Sequence, residues 1–221
     1  MSLYTLTTND TLPAVQLPAG LRMEECTNVD LLAVMGTTTV EEVIKRMAND
    51  HVAFVAYINH VPASFGWMAR SKALIGELSH EMILPLGNRY LWNFRTMESF
   101  RGLGIYPALL QYIVRQEREK AECFWIIHAP ENASSLKGIQ KAGFRYMGKL
   151  YSNKGTATIE DSFLTERSRT LLAEMDITIS AEQPASCWNC SSPYLKKRKP
   201  ECCCAASGDE CIGNNLLSLA S

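Results

Sequence analysis

The spacing of apolar positions changes character near residue 100. Before it, short runs rich in β-branched and aromatic residues dominate: Leu21–Cys26, His51–Asn59 (HVAFVAYIN), Val61–Arg70 (VPASFGWMAR), Leu78–Leu84 and Arg89–Thr96. Runs of this length and composition predict strands. Asn59-His60 predicts a hairpin between the second and third runs. Pro85-Leu86-Gly87-Asn88 predicts the turn of another antiparallel pair, Leu78–Leu84 with Arg89–Thr96. Two short helices are predicted at Val29–Met35 and Val40–Ala48. In the second, Thr39 can cap, Glu41 and Glu42 suit the first turn, and Val43, Ile44 and Met47 share a face. After residue 100 the period lengthens. Across Gly104–Lys120, Ile105, Leu109, Tyr112 and Ile113 recur at helical spacing. Cys123–His128 (CFWIIH) is almost wholly apolar, the pattern of a strand buried on both faces. A helix at Asn132–Ala142 closed by Gly143, a strand at Phe144–Tyr151 and a helix at Thr165–Met175 complete the reading. Residues 1–20 keep no sustained period and read as an N-terminal arm. This order of elements predicts the α/β class, a mixed sheet with helices on its faces.

Composition narrows the class. Of 221 residues, 47% are hydrophobic and 20% charged, enough for a sizeable core, and the formal net charge of −1 gives no general attraction to nucleic acid or anionic membrane. No apolar run approaches the ~20 residues that span a bilayer. The N-terminus lacks the basic and apolar regions of a signal peptide. A cytoplasmic enzyme is therefore expected, with no membrane or nucleic-acid partner. Six of the eight cysteines crowd into the last 35 residues. That shift divides the chain into an arm (1–20), a main domain (21–180) and a Cys-rich tail (181–221). In the tail, Cys187, Cys190, Cys202 and Cys204 could hold zinc, although Cys202-Cys203-Cys204 and the single Cys211 do not form a second Cys-x-x-Cys pair. A tail without structure fits the same residues.

The chemistry concentrates between the strand at Arg89–Thr96 and the helix that follows. Arg101-Gly102-Leu103-Gly104-Ile105-Tyr106 can turn with its N–H groups converging, and the helix start adds a positive dipole end, so a phosphate or pyrophosphate fits there. Pro107 sits in the first turn, where its missing N–H costs nothing. These residues alone fit a plain strand-to-helix turn equally well.

With its surroundings, the loop resembles the acyl-CoA-binding motif of the GNAT N-acetyltransferase superfamily, Arg/Gln-x-x-Gly-x-Gly/Ala. Arg101 and Gly104 match. A second superfamily feature follows at the right distance, an Asn-headed helix ending in Gly-Phe, here Asn132 to Gly143-Phe144. The resemblance covers about residues 20–155. It implies a GNAT-like fold with a mostly antiparallel sheet, and acetyl-CoA as co-substrate. The acetyl group would pass to a primary amine by direct attack in a ternary complex. It implies cofactor contacts from Phe94, Thr96, Arg101, Gly102, Leu103, Gly104, Ile105, Tyr106, Asn132 and Ser135, with the thioester carbonyl polarised by backbone N–H near the end of Arg89–Thr96. The superfamily also allows a homodimer.

Two positions depart from the pattern. Tyr106 stands where the motif has Gly or Ala, and Ile139 stands where many members carry a Tyr that protonates the departing thiolate. The second departure keeps open a non-catalytic acyl-CoA-binding sensor or scaffold with a Cys-rich interaction tail. For proton transfer the candidates are Glu81, Glu98 and His128, with Tyr106, Tyr112 and Tyr146 as possible replacements for the missing acid. Each carboxylate also reads as a plain surface charge, and each tyrosine as a packed aromatic. Trp92, Phe94 and Trp125 read as core residues of strands.

Overall fold

The computed structural model describes residues 1–129, 132–153 and 156–181. The strands are β1 (Ser2–Thr7), β2 (Leu21–Cys26), β3 (His51–Ile58), β4 (Val61–Ala69), β5 (Lys72–Ile75), β6 (His80–Ile83), β7 (Asn88–Thr96), β8 (Cys123–His128), β9 (Arg145–Asn153), β10 (Thr156–Glu160) and β11 (Thr178–Ser180). The helices are α1 (Val29–Gly36), α2 (Val40–Ala48), α3 (Ile105–Glu117), α4 (Ala133–Lys141) and α5 (Glu166–Glu174). Nine strands form one sheet in the order β11-β10-β9-β1-β8-β7-β4-β3-β2, and β5 and β6 pair separately as a two-stranded flap. Within the large sheet only β7/β8 and β10/β11 run parallel. It is a mixed, mostly antiparallel sheet flanked by helices.

Alternation along the strands builds two core layers. On β3, Phe54 and Ala56 face α3 and α4, packing near Leu109, Ile113, Ile139 and Ala142. Ala53, Val55 and Tyr57 face the opposite way, toward Leu32, Met35 and Val43 of α1 and α2. Tyr90 and Trp125 continue that second face toward the flap and Leu172 of α5. Local signals start the helices. Thr39 accepts from the Glu42 N–H, and Thr165 with Ser168 forms a reciprocal capping box. The far end of α3 is tied to the sheet by a buried ion cluster. Glu117 accepts from Arg89 Nε at 2.7 Å and from the Arg70 guanidinium at 2.9 Å.

Two expectations are corrected. Residues 1–20 are not merely an arm, because Ser2–Thr7 lies inside the sheet, antiparallel to β8 on one side and β9 on the other. Six residues are too few to show a period, and their partners lie more than a hundred positions away. Leu78–Leu84 does not pair with Arg89–Thr96. Gly76–Leu78 is a 3-10 turn, β6 pairs with β5, and both edges of β7 are taken by β4 and β8. Strands β5, β10 and β11 were also unforeseen.

Strand β7 carries the feature that positions the site. Phe65 pairs with Arg95 and Trp67 with Trp92, so three steps on β7 oppose two on β4. The extra residue is a bulge at Asn93, whose φ is +51°. A bulge flips the faces that follow it. Trp92 therefore packs on the α1/α2 side, and Phe94 on the α3/α4 side. Gly66 makes room for this, since a Cβ there would lie 2.1 Å from the Phe94 ring. On the other edge, pairing with β8 ends at Leu91 and Ile126, so β7 and β8 separate beyond that point.

Candidate active site

After β7 the chain makes a 3-10 turn at Glu98–Phe100 and enters the Arg101–Gly104 loop. Gly102 and Gly104 sit at φ +82° and +77°, the left-handed region that only glycine enters without strain. Gly104 caps α3 without any side-chain hydrogen bond, so the first N–H groups of the helix are presented toward the loop mouth. There a cleft of about 550 Å³ opens, walled by the end of β7, the start of α3 and one face of α4. Nine of the ten expected cofactor residues line it: Phe94, Thr96, Arg101, Gly102, Gly104, Ile105, Tyr106, Asn132 and Ser135. Leu103 does not, and its side chain is exposed. Arg95, Lys137 and Lys141 also line the cleft, and among the described residues no carboxylate does. The two lysines escaped the sequence reading, because a charge on a short helix looks like a solvated face until the helix is docked.

Tyr106 fits where the motif has a small residue by turning its ring away from the loop and onto α4. A Cβ on Gly138 would meet that ring at 2.2 Å, so Gly138 and Tyr106 are matched in volume. The Tyr106 hydroxyl lies 3.4 Å from Ser135 Oγ, and its ring centroid is 5.4 Å from that of Phe94. Burial pushes the phenol up to about 12, so it stays protonated. Tyr112 packs against Phe54, and Tyr146 against Tyr4 and Phe163, and neither lines the cleft.

Asn132 caps α4, its Oδ1 accepting from the Ser135 N–H at 3.0 Å and from Ser134 Oγ at 2.9 Å. Its carbonyl oxygen accepts from His128 Nε2 at 2.9 Å. His128 is buried beside Tyr4 and lines neither cleft, so it serves as a tie between the end of β8 and the start of α4. Ile139 is fully buried in the core beneath α4.

A second cleft, about 680 Å³, lies on the opposite face of the sheet. Its walls are α2, the start of β3, the β5–β6 flap and the stretch Tyr90–Asn93, with Ile127 and Ala129 across the gap. Glu81 lines it, 3.7 Å from Lys72 Nζ, and so does Glu77. Glu98 lines neither cleft, its side chain being 92% exposed beside Arg101. His51, absent from the sequence-based candidates, sits here edge-on to Trp92 with ring centroids 5.2 Å apart. Its Nε2 is 2.9 Å from the Lys72 carbonyl oxygen, so Nε2 carries the hydrogen and Nδ1 holds a lone pair. Burial, opposed by the hydrogen bond to Lys72, holds its pKa below the usual value. Nothing in the sequence distinguished His51 from a strand-opening surface residue.

The two clefts approach each other at the bulge. Phe94 and Asn132 stand on one side, and Trp92, Asn93, Ile127 and Ala129 on the other, where β7 and β8 no longer pair. Among the described residues no group of three or more His, Cys, Asp or Glu could hold a metal ion. Cys187, Cys190, Cys202 and Cys204 lie outside the described residues. Among the described residues no helix is long and apolar enough to cross a membrane.

No family model matches the sequence, and no curated protein matches it. The structure resembles solved acetyltransferases of the GNAT group. A GCN5-related N-acetyltransferase from Kribbella flavida is 15% identical, with 66% of this chain and 53% of that one covered, at a TM-score of 0.46. A GCN5-related N-acetyltransferase from Sphaerobacter thermophilus is 14% identical over 66% of this chain and 47% of that one, at 0.48. The chain thus spans about half the length of each. A GNAT family acetyltransferase from Elizabethkingia anophelis, solved with acetyl-CoA bound, is 17% identical over 62% of this chain and 82% of that one, at 0.46.

Proposed function

We propose that this chain is an N-acetyltransferase that moves an acetyl group from acetyl-CoA to a primary amine. The observation that carries the reading is the approach of two clefts, on opposite faces of the sheet, to the Asn93 bulge. One cleft is lined by a glycine loop at a helix start and by Arg95, Arg101, Lys137 and Lys141, with no carboxylate among its described residues, which suits a polyanionic donor. The other carries Glu42, Glu77 and Glu81 beside Lys45, Arg46 and Lys72, so it offers carboxylates that can take a proton from an ammonium without a net negative charge. A long donor in the first cleft can reach the gap between β7 and β8, and an amine in the second can meet it there.

The donor supplies an activated acyl carbon. The chain supplies orientation, donor N–H groups and a route for protons. In the proposed chemistry an ammonium first gives a proton to the second cleft, where Glu81 is the carboxylate we assign as acceptor. The neutral amine then attacks the thioester carbon, a C–N bond forms, the C–S bond breaks, and the nitrogen gives its remaining surplus proton to solvent. Backbone N–H beside the bulge stabilises the oxyanion.

Tyr106 lines the donor cleft but is a poor acid for this step. Burial holds the Tyr106 phenol well above an ordinary thiol, about 8.5, so full proton transfer to the thiolate would run uphill. The thiolate therefore leaves as such and equilibrates with solution protons after release.

Incubating the protein with acetyl-CoA and a panel of amines, with thiol release as the readout, tests the reading. Amine-dependent release supports it. Measurable CoA binding with no release across a broad panel would instead favour the sensor reading, which the buried Ile139 in the acid position supports.

A further inference from the structure

In the second cleft the charges answer one another, and the neutral polar groups do not. Arg46 Nε lies 3.1 Å from Glu42 Oε1, and Lys72 Nζ lies 3.7 Å from Glu81 Oε2. Arg46 also stacks on Trp92, its guanidinium carbon 4.8 Å from the ring centroid. His51 Nδ1 and Trp92 Nε1, by contrast, are buried without a hydrogen-bond partner. Among the described residues no other buried side-chain nitrogen or oxygen is left so, and both line this one cleft. Tyr90 joins them. It is only 6% exposed, it lines the same cleft, and among the described residues its hydroxyl has no hydrogen-bond partner.

The sheet register gathers the three groups on one wall. His51 pairs with Ala69 and Ala69 with Tyr90, so His51 and Tyr90 share a cross-strand row and a face. Trp92 stands two residues from Tyr90 on that face, with its ring centroid 5.2 Å from that of His51. The wall ends at the Asn93 bulge, about 10 Å from Tyr90 along the strand. His51 Nδ1 offers a lone pair, Trp92 Nε1 a hydrogen, and the Tyr90 hydroxyl either one. The outer torsion of such rings is broad, so a small turn presents either nitrogen to a molecule lying on the wall. An ammonium has only hydrogens to give and would leave Trp92 unanswered. A carboxylate has only lone pairs and would leave His51 unanswered. A hydroxyl or a carboxamide both gives and accepts.

We infer that this wall reads the acceptor, selecting amines that carry an uncharged hydroxyl or carboxamide a few bonds from the reacting nitrogen. The inference rests on the acyl-transfer reading above and names the class of its acceptor. Its force lies in differential loss, because an alkyl analogue would leave the same buried groups unpaired.

Thiol release at saturating acetyl-CoA, followed over matched acceptors, decides it. The pairs are ethanolamine against propylamine and β-alaninamide against isopentylamine, with propanediamine and β-alanine as charged counterparts. In wild type, kcat/KM for the polar member of at least one pair should exceed its alkyl and charged counterparts at least about thirtyfold. A polar substituent also lowers the amine's own pKa, so two variants serve as the control. In His51→Phe and Tyr90→Phe, with circular dichroism matching wild type, that ratio should fall at least about fivefold. A wild-type ratio near one, or a preference for a charged member, would overturn the inference and leave acyl transfer standing. So would a ratio unchanged in both variants. No release from any amine would remove the acyl-transfer reading and this inference with it.

Discussion

At the scale of single residues, the donor loop works through backbone conformation rather than side-chain chemistry. Gly104 has φ +77°, and among the described residues the one atom within 4 Å of a Cβ there would be the Gln16 carbonyl oxygen at 3.4 Å. Space is thus not the main restraint; the left-handed backbone is, and a β-branched residue tolerates it least. Gly104→Val should weaken acyl-CoA binding at least tenfold, about 1.4 kcal/mol, measured by titration on a variant whose circular dichroism matches wild type. Unchanged affinity would mean that the loop is only a turn. Tyr106 gives the opposite expectation. With its phenol at about 12, Tyr106→Phe should lower kcat less than about tenfold. A loss of several hundredfold would show that the phenol is the acid after all.

At the scale of elements, β7 does most to assemble the site, through a feature hidden in its sequence. Trp92 and Phe94 are two apart and read as neighbours on one strand face, yet the bulge at Asn93 sends them into different clefts. The signal lay in another strand, where Gly66 gives the Phe94 ring its place. Gly66→Ala should therefore destabilise the fold by about 1–3 kcal/mol through overpacking, read from the midpoint of urea unfolding. A smaller change would mean that the bulge does not depend on that contact. The Arg70–Glu117–Arg89 cluster belongs to this scale too. Burial raises the Glu117 pKa, but the hydrogen bonds and charges of Arg89 and Arg70 outweigh it, and the net shift is downward. Its contribution to stability is then fully present above the unfolded value, about 4.3, and is lost as pH falls through the folded value. Glu117→Gln should cost about 3 kcal/mol near neutral pH and flatten the fall in stability between about pH 5 and pH 3. An unaltered pH profile would show that other carboxylates set it.

At the scale of the whole molecule, legibility followed locality. Helix starts at Thr39, Asn132 and Thr165 could be read because a cap and its partner N–H lie within three residues. The donor loop could be read for the same reason, as glycines and helix start are adjacent in the chain. β1 could not, because Ser2–Thr7 is held by β8 and β9 rather than by its neighbours. The supposed pairing of Leu78–Leu84 with Arg89–Thr96 failed because sheet order, not turn chemistry, chose the partners of β7. The second cleft was invisible for a related reason. It draws on α2, β3, the flap and β7, so His51 and Trp92 meet only after folding. The most direct check on the approach of the two clefts is a crystal structure of the chain with CoA bound. The pyrophosphate should lie at the start of α3 and the sulfur at the gap beside Asn93, between the Phe94 and Trp92 sides. A CoA molecule bound outside the first cleft, or one whose sulfur points to solvent away from the bulge, would contradict it.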